Sequence, residues 1–168
     1  MSGPVLGQRG FVSWAVVGDV LDTSKPASRV AASIERQGRI LYRVSPSLDA
    51  KDVSPEQRVY KKFADLPPFS VDAVNLCVNY RIGMMVLDEM KKRGISYCFL
   101  QPGADHEDLC KKADAMDIVY QQGCMIVESL IELDEDEQRM VEERKQEDKQ
   151  RLADEKKGAK STCTCTIL

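Results

Sequence analysis

A parallel sheet covered by helices on both faces is the fold class the sequence predicts, and three observations predict it. Short apolar runs alternate with segments whose apolar residues recur at helical spacing. The connections between them are brief and marked by Gly or Pro. Five such runs fall between residues 14 and 121, and parallel neighbours require crossover connections of the kind the helical segments provide. The pattern reads as α/β: a Rossmann-like parallel sheet of about five strands with helices on both faces, followed by a charged C-terminal helix or disordered tail.

The first unit organises the rest. An apolar run at 14–17 (WAVV) stops at Gly18, passes through a polar turn, and opens at Pro26 into a helical segment that Gly38 ends. The turn has the parts of an anion site. Gly18 lets backbone approach a ligand, Thr23 and Ser24 offer hydroxyls, and Lys25 offers a charge. Pro26 suits the first helical position, beside free N–H groups and a positive dipole end. Neither a GxGxxG fingerprint nor a GxxxxGK[ST] loop is present.

Residues 39–44 (RILYRV) form the second strand, which Ser45-Pro46 ends. Residues 47–68 are polar and proline-broken and read as a connector, with Val59-Tyr60 a short strand or extended loop. The third strand, 73–78 (AVNLCV), leads through Asn79 into a helix over 83–93 that Gly94 closes. Residues 96–100 (SYCFL) are the fourth strand, and Gln101-Pro102-Gly103 turns into a helix over 105–115. Residues 117–121 (DIVYQ) are the fifth, with Gly123-Cys124 at the exit. In such sheets ligands bind at the carboxyl ends of the strands near the switch point, so the exits at Gly18, Ser45, Val78, Gln101 and Gly123 are expected to share one edge.

Composition bounds the rest. A chain of 168 residues allows one domain with a substantial core plus an appendage, read as an N-terminal segment at 1–11, a domain at 12–131, a spacer at 132–160 and a tail at 161–168. A net charge of -3 and a pI near 5.3 argue against nucleic acid as a partner. The six cysteines are scattered without a CxxC pair behind an N-terminus lacking a secretory segment, which fits a reduced cytoplasmic compartment. No run reaches the roughly 20 apolar residues of a membrane span, His106 lacks partners for a structural zinc, and Gly3 sits one position too late for N-myristoylation.

Seven motifs in order, AVVG (15–18), SKPASRVA (24–31), RVSP (43–46), DLP (65–67), LCVN (76–79), LQPGA (100–104) and GCMIVE (123–128), resemble the small CoA-binding protein family. That family's domain is similar to the CoA-binding domain of succinyl-CoA ligase alpha subunits, and the resemblance covers roughly residues 12–130. It implies CoA or an acyl-CoA as ligand: an adenine nucleotide with a 3′-phosphate and a pantetheine arm. Gly18, Ser24, Lys25, Pro26, Ser28 and the first helix start would face phosphates, while Pro46, Val78 and Pro102 would wall the adenine. Ser45, Asn79, Gln101, Gly103 and Cys124 complete the implied set. The chain departs from the family pattern at Asp19, where a small residue is usual, at Lys25-Pro26-Ala27 in place of Arg-Pro-Ser, with Ser28 able to replace the hydroxyl, and at Ser45 in place of asparagine. Asp19 puts negative charge beside the expected pyrophosphate.

The resemblance also places a cysteine at Cys124. It is either a redox-active thiol able to form a mixed disulfide with CoA or a buried apolar residue. His106 is the sole side chain suited to acid–base work near neutral pH, and the resemblance gives it no role, so the expectation is a binding module without catalysis of its own. A small NAD-type enzyme is the rival reading, opposed by the lack of an acidic residue in RVSP at the second strand end. A membrane-tethered adaptor with a vestigial pocket is another, sustained by Asp19.

Beyond residue 132 the chain is almost wholly charged, without a sustained heptad stripe, and reads as a solvated helix or a disordered spacer. The last four residues, Cys165-Thr166-Ile167-Leu168, read as a CaaX box whose terminal Leu directs geranylgeranylation. Cys163 is placed for a palmitoyl group, and Lys156, Lys157 and Lys160 would attract an anionic leaflet. These features predict a protein anchored to the cytoplasmic face of a membrane rather than spanning it.

Overall fold

The computed structural model describes residues 3–128 and 130–161. Its strands are β1 (Ser13–Val17), β2 (Ile40–Val44), β3 (Val59–Tyr60), β4 (Ala73–Leu76), β5 (Tyr97–Leu100) and β6 (Val119–Gln122). The helices are α1 (Pro26–Arg36), α2 (Tyr80–Lys92), α3 (Glu107–Ala115) and α4 (Glu135–Ser161). All strand pairs are parallel and the order across the sheet is β3-β2-β1-β4-β5-β6. The chain winds outward from β1 to β3 and then restarts at β4 on the other side of β1. The switch point therefore lies between β1 and β4.

Both faces of the sheet are covered, as an all-parallel sheet requires. Side chains alternate between them with the period of the pleat. On one face Trp14, Val16, Leu41, Ala73 and Phe99 meet Ala27, Val30, Ala31 and Ile34 of α1, a stripe at i, i+3, i+4 and i+7. On the other, Ala15, Val17, Tyr42, Val44, Val74, Leu76, Cys98 and Leu100 meet Val86, Leu87 and Met90 of α2 and Leu109 and Ala113 of α3. Gly83 lets α2 and α3 approach, because a Cβ there would lie 3.2 Å from both Leu109 methyls.

The expected strands are present, with ends shifted by one to two residues, and Val59-Tyr60, read as a short strand or extended loop within the connector, is the strand β3. Its two residues pair with Arg43 and Val44, too short a run to show a period of two. α2 begins at Tyr80 rather than at residue 83, because the Asn79 side chain accepts from the N–H groups of Arg81 and Ile82 at 3.1 and 3.2 Å. The N-terminal segment is tied to β6. The Val5 and Leu6 N–H groups donate to Gln121 Oε1, and both residues are buried.

The charged C-terminal segment is a helix, and its first half does not behave as a solvated spacer. Val141 is buried in the core face that holds Tyr42 and Tyr60, with Leu133 and Met140 packed beside it. Arg144 Nη1 pairs with Asp72 at 2.7 Å and donates to Ser13 Oγ at 2.9 Å, at the starts of β4 and β1. Asp148 accepts from Tyr42 Oη at 2.8 Å and from Arg58 Nε at 2.9 Å. The connections from β2 to β4 carry only single 3₁₀ turns, which leaves this part of the sheet without a crossover helix, and α4 covers it instead. Among the described residues no helix is long and apolar enough to cross a membrane. Cys163 and Cys165, the expected lipidation positions, lie outside the described residues.

Candidate functional site

The strand exits stand level at one edge of the sheet. Gly18 N–H donates to Val44 O at 2.9 Å, Cys77 N–H to Val17 O at 2.8 Å, and Gln101 N–H to Leu76 O at 3.1 Å. Ser45 N–H reaches Tyr60 O at 3.0 Å and Gly123 N–H reaches Leu100 O at 3.2 Å, so each exit is fastened to its neighbouring strand. At Gly18 the packing is tight. A Cβ there would sit 2.9 Å from Cys77 O, 2.9 Å from Ala27 Cβ and 3.0 Å from Cys77 Cβ, so only glycine lets β1, β4 and α1 meet at the switch point.

The β1–α1 turn closes on itself. Asp22 Oδ1 accepts from the Ser24 hydroxyl at 2.6 Å and the Ser24 N–H at 3.0 Å, and these bonds, the hydroxyl first, lower the Asp22 pKa. Lys25 is the N-cap of α1 in extended conformation, and its side chain makes no capping bond. Pro26 has no N–H to lose, and the N–H groups of Ala27 and Ser28 lie in the first turn of α1, where the helix itself supplies no acceptor. A helix start of this kind suits an anion.

At the same edge, on the sheet face that α2 covers, lies a cleft of about 370 Å³ with mostly apolar walls. Val17, Val44 and Pro46 form its strand side, Lys61, Lys62, Phe63 and Ala64 the segment after β3, and Ile82, Met85, Val86 and Glu89 the α2 side. Met85 is 70% exposed although apolar. A larger cavity of about 790 Å³ lies at the other end of the molecule, between the end of α1 and the start of α4. It holds none of the strand exits.

The expected site residues divide into groups. Gly18, Asp19, Ser45 and Pro46 meet at the ends of β1 and β2, where Ser47 Oγ donates to Asp19 Oδ1 at 2.6 Å. Ser24, Lys25, Pro26 and Ser28 form the helix entry. Val78 is half-buried after β4, and the Asn79 side-chain oxygen is engaged in capping α2. Gln101 is 4% exposed after β5, its Nε2 without a partner among the described residues, while Pro102 and Gly103 are exposed and the Gly103 N–H binds Asp105 Oδ1. Cys124 is half-buried, its N–H donating to Glu128 Oε1 at 3.2 Å.

Lys61, Lys62, Ile82 and Met85 were not among the expected residues. The paired lysines follow Val59-Tyr60, the one signal for them, and the shortness of β3 hides it. Cys77 was also missed. Its thiol is pushed up to about 12, first by burial and then by the nearby Cys124, so it is held protonated. His106 caps α3 by accepting from the Asp108 N–H through Nδ1 at 3.2 Å, and its ring stacks on Tyr80 with centroids 4.1 Å apart.

The CoA binding domain family matches residues 12–129. Solved structures share the architecture. A conserved hypothetical protein from Pyrococcus furiosus is 24% identical at a TM-score of 0.61, with 71% of this chain and 100% of that chain covered. A hypothetical protein from Pyrococcus horikoshii OT3 is 20% identical at a TM-score of 0.60, covering 79% and 84%. A Thermus thermophilus protein is 24% identical at 0.57, covering 69% and 86%. At such identities these likenesses speak for the fold alone, and no curated protein matches. The match takes in every strand and all the strand exits, so the chain belongs to the CoA binding domain family over residues 12–129.

Proposed function

We propose that this domain binds CoA or an acyl-CoA at the carboxyl edge of its sheet and acts as a binding module without catalysis of its own. The observation that carries the reading is a pair of unlike surfaces at one edge of the sheet: an apolar cleft over Val17 and Val44, and the uncapped start of α1 beside Gly18. An adenine fits the first and a diphosphate the second. Lys25 adds charge at the helix start, and Lys61 and Lys62 add it on the rim of the cleft. Gln101 offers an unpaired amide donor for the pantetheine arm.

Calorimetry of the full chain with CoA, acetyl-CoA, NAD and ATP tests the proposal. Heat of binding for the two CoA ligands and weaker binding of NAD is the expected result, and no CoA binding at millimolar concentration would sink it. We further propose that the chain is held on the cytoplasmic face of a membrane by prenylation at Cys165, with Cys163 as a second acylation position. Wild type in the membrane fraction of eukaryotic cells and Cys165→Ser in the soluble fraction is the outcome that supports the anchor. A soluble wild type removes it.

A further inference from the structure

Asp19 belongs to the β1–α1 turn, yet its carboxylate is fastened at the end of β2. Ser47 Oγ donates to Asp19 Oδ1 at 2.6 Å, and the hydroxyls of Ser45 and Ser47 lie 3.2 Å apart. Ser47 has one hydroxyl proton and gives it to Asp19, so the proton between the two serines comes from Ser45. The donors therefore run from Ser45 to Ser47 to Asp19 and end on a group that only accepts. Asp19 Oδ2 has no donor among the described residues.

The position matters more than the bond. In open α/β sheets the group at the carboxyl end of the second strand faces the ribose of a nucleotide whose diphosphate lies on the first helix start. No residue of β2 itself supplies an acid there, and the fold brings one from the preceding turn. A carboxylate at that point accepts from a ribose hydroxyl and repels a ribose phosphate.

We propose that Asp19 selects nucleotides whose ribose hydroxyls are free, so that among CoA-type ligands the 3′-dephospho form binds more tightly than CoA itself. The inference rests on the CoA-type reading of the site. Lys61 and Lys62, on the rim of the cleft, act in the opposite sense. Both are exposed and carry no ion pair among the described residues, and long solvated side chains must give up rotamer freedom to hold a phosphate. Asp19 is already fixed by Ser47, and the fixed charge decides.

The test is calorimetry of the full chain with CoA and with 3′-dephospho-CoA, for wild type, Asp19→Ala and Asp19→Asn. Asp19→Asn keeps an acceptor for Ser47 and removes the charge. Wild type binds the dephospho form about tenfold more tightly. Both variants bring the two affinities to within about twofold, chiefly by gaining affinity for CoA, and their melting temperatures stay near that of wild type because Asp19 is exposed. CoA binding to wild type as tightly as the dephospho form, or an unchanged ratio in the variants, overturns the inference and leaves the CoA-type reading standing. Binding of neither ligand at millimolar concentration overturns both.

Discussion

Gly18 shows what one missing methyl group does at the switch point. An added Cβ would lie 2.9 Å from the carbonyl oxygen of Cys77 and 2.9 Å from Ala27 Cβ, so the chain on both sides would have to shift. Gly18→Ala is therefore expected to lower stability by about 1–3 kcal/mol, read as a lower urea midpoint with an unchanged slope. Met85 makes the opposite case. It is largely exposed on α2 and makes up part of the cleft wall, so Met85→Glu leaves the melting temperature within a few degrees and weakens CoA binding roughly tenfold by putting charge in an apolar wall. Equal CoA affinity in that variant would place the adenine elsewhere. The sequence disclosed Gly18 and Lys25 because a turn between an apolar run and a helix has few workable compositions. It did not disclose where Asp19 points, since that depends on Ser47, 28 residues away, being brought alongside by β2.

Among the elements, α4 is where local pattern and tertiary role part. Its apolar positions are few, and the contacts that dock it are mostly polar and distant in sequence, such as Arg144 with Asp72 and Asp148 with Tyr42 and Arg58. No periodicity records such pairs. Asp148 accepts from Tyr42, Arg58 and Arg151, so Asp148→Ala strands the Tyr42 hydroxyl and the Arg58 guanidinium and costs about 2–3 kcal/mol, measurable by denaturant unfolding. A loss below about 0.5 kcal/mol would mean that α4 is not docked along this stretch. Burial and then Asp148 raise the Tyr42 pKa, which keeps the phenol a donor in this contact.

The start of α4 carries a pH dependence. Asp134 and Glu137 cap each other reciprocally, and Glu137 also accepts from the Gly10 N–H at 2.6 Å and from Arg9 at 2.9 Å. Burial works against the charged form of Glu137, but the Gly10 and Asp134 N–H groups and Arg9 outweigh it, and its pKa falls below the ordinary 4.5. A lowered pKa stabilises the folded state fully above 4.5, and the contribution disappears as pH drops through the lower folded value. The melting-temperature gap between wild type and Glu137→Gln is thus expected to be constant from pH 7 to about 5 and to narrow below 4.5. A gap that widens on acidification would contradict the assignment.

At the scale of the whole molecule, the order β3-β2-β1-β4-β5-β6 does two things at once. It places the two core faces on either side of a parallel sheet, and it gathers five strand exits that are far apart in sequence onto one edge. The alternation of runs and helical segments made the sheet legible, because right-handed crossovers leave few ways to arrange such units. β3 was legible only as a short strand or extended loop, since two residues show no period, and their pairing with Arg43 and Val44 decides for a strand. The cleft was hidden because its lysines follow a segment whose pattern does not decide between strand and loop.

On the proposed reading a CoA-type ligand lies at the ends of β1 and β2. Titration of the isotopically labelled full chain with CoA, followed by backbone amide NMR, tests it most directly. The predicted result is a set of shifts at Gly18, Ala27, Ser28 and Ser45 and along the cleft at Lys61, Lys62 and Ile82, with Arg36, Gln37 and Gly38 beside the larger cavity unmoved. Shifts confined to that cavity, or no shifts at millimolar CoA, would contradict it.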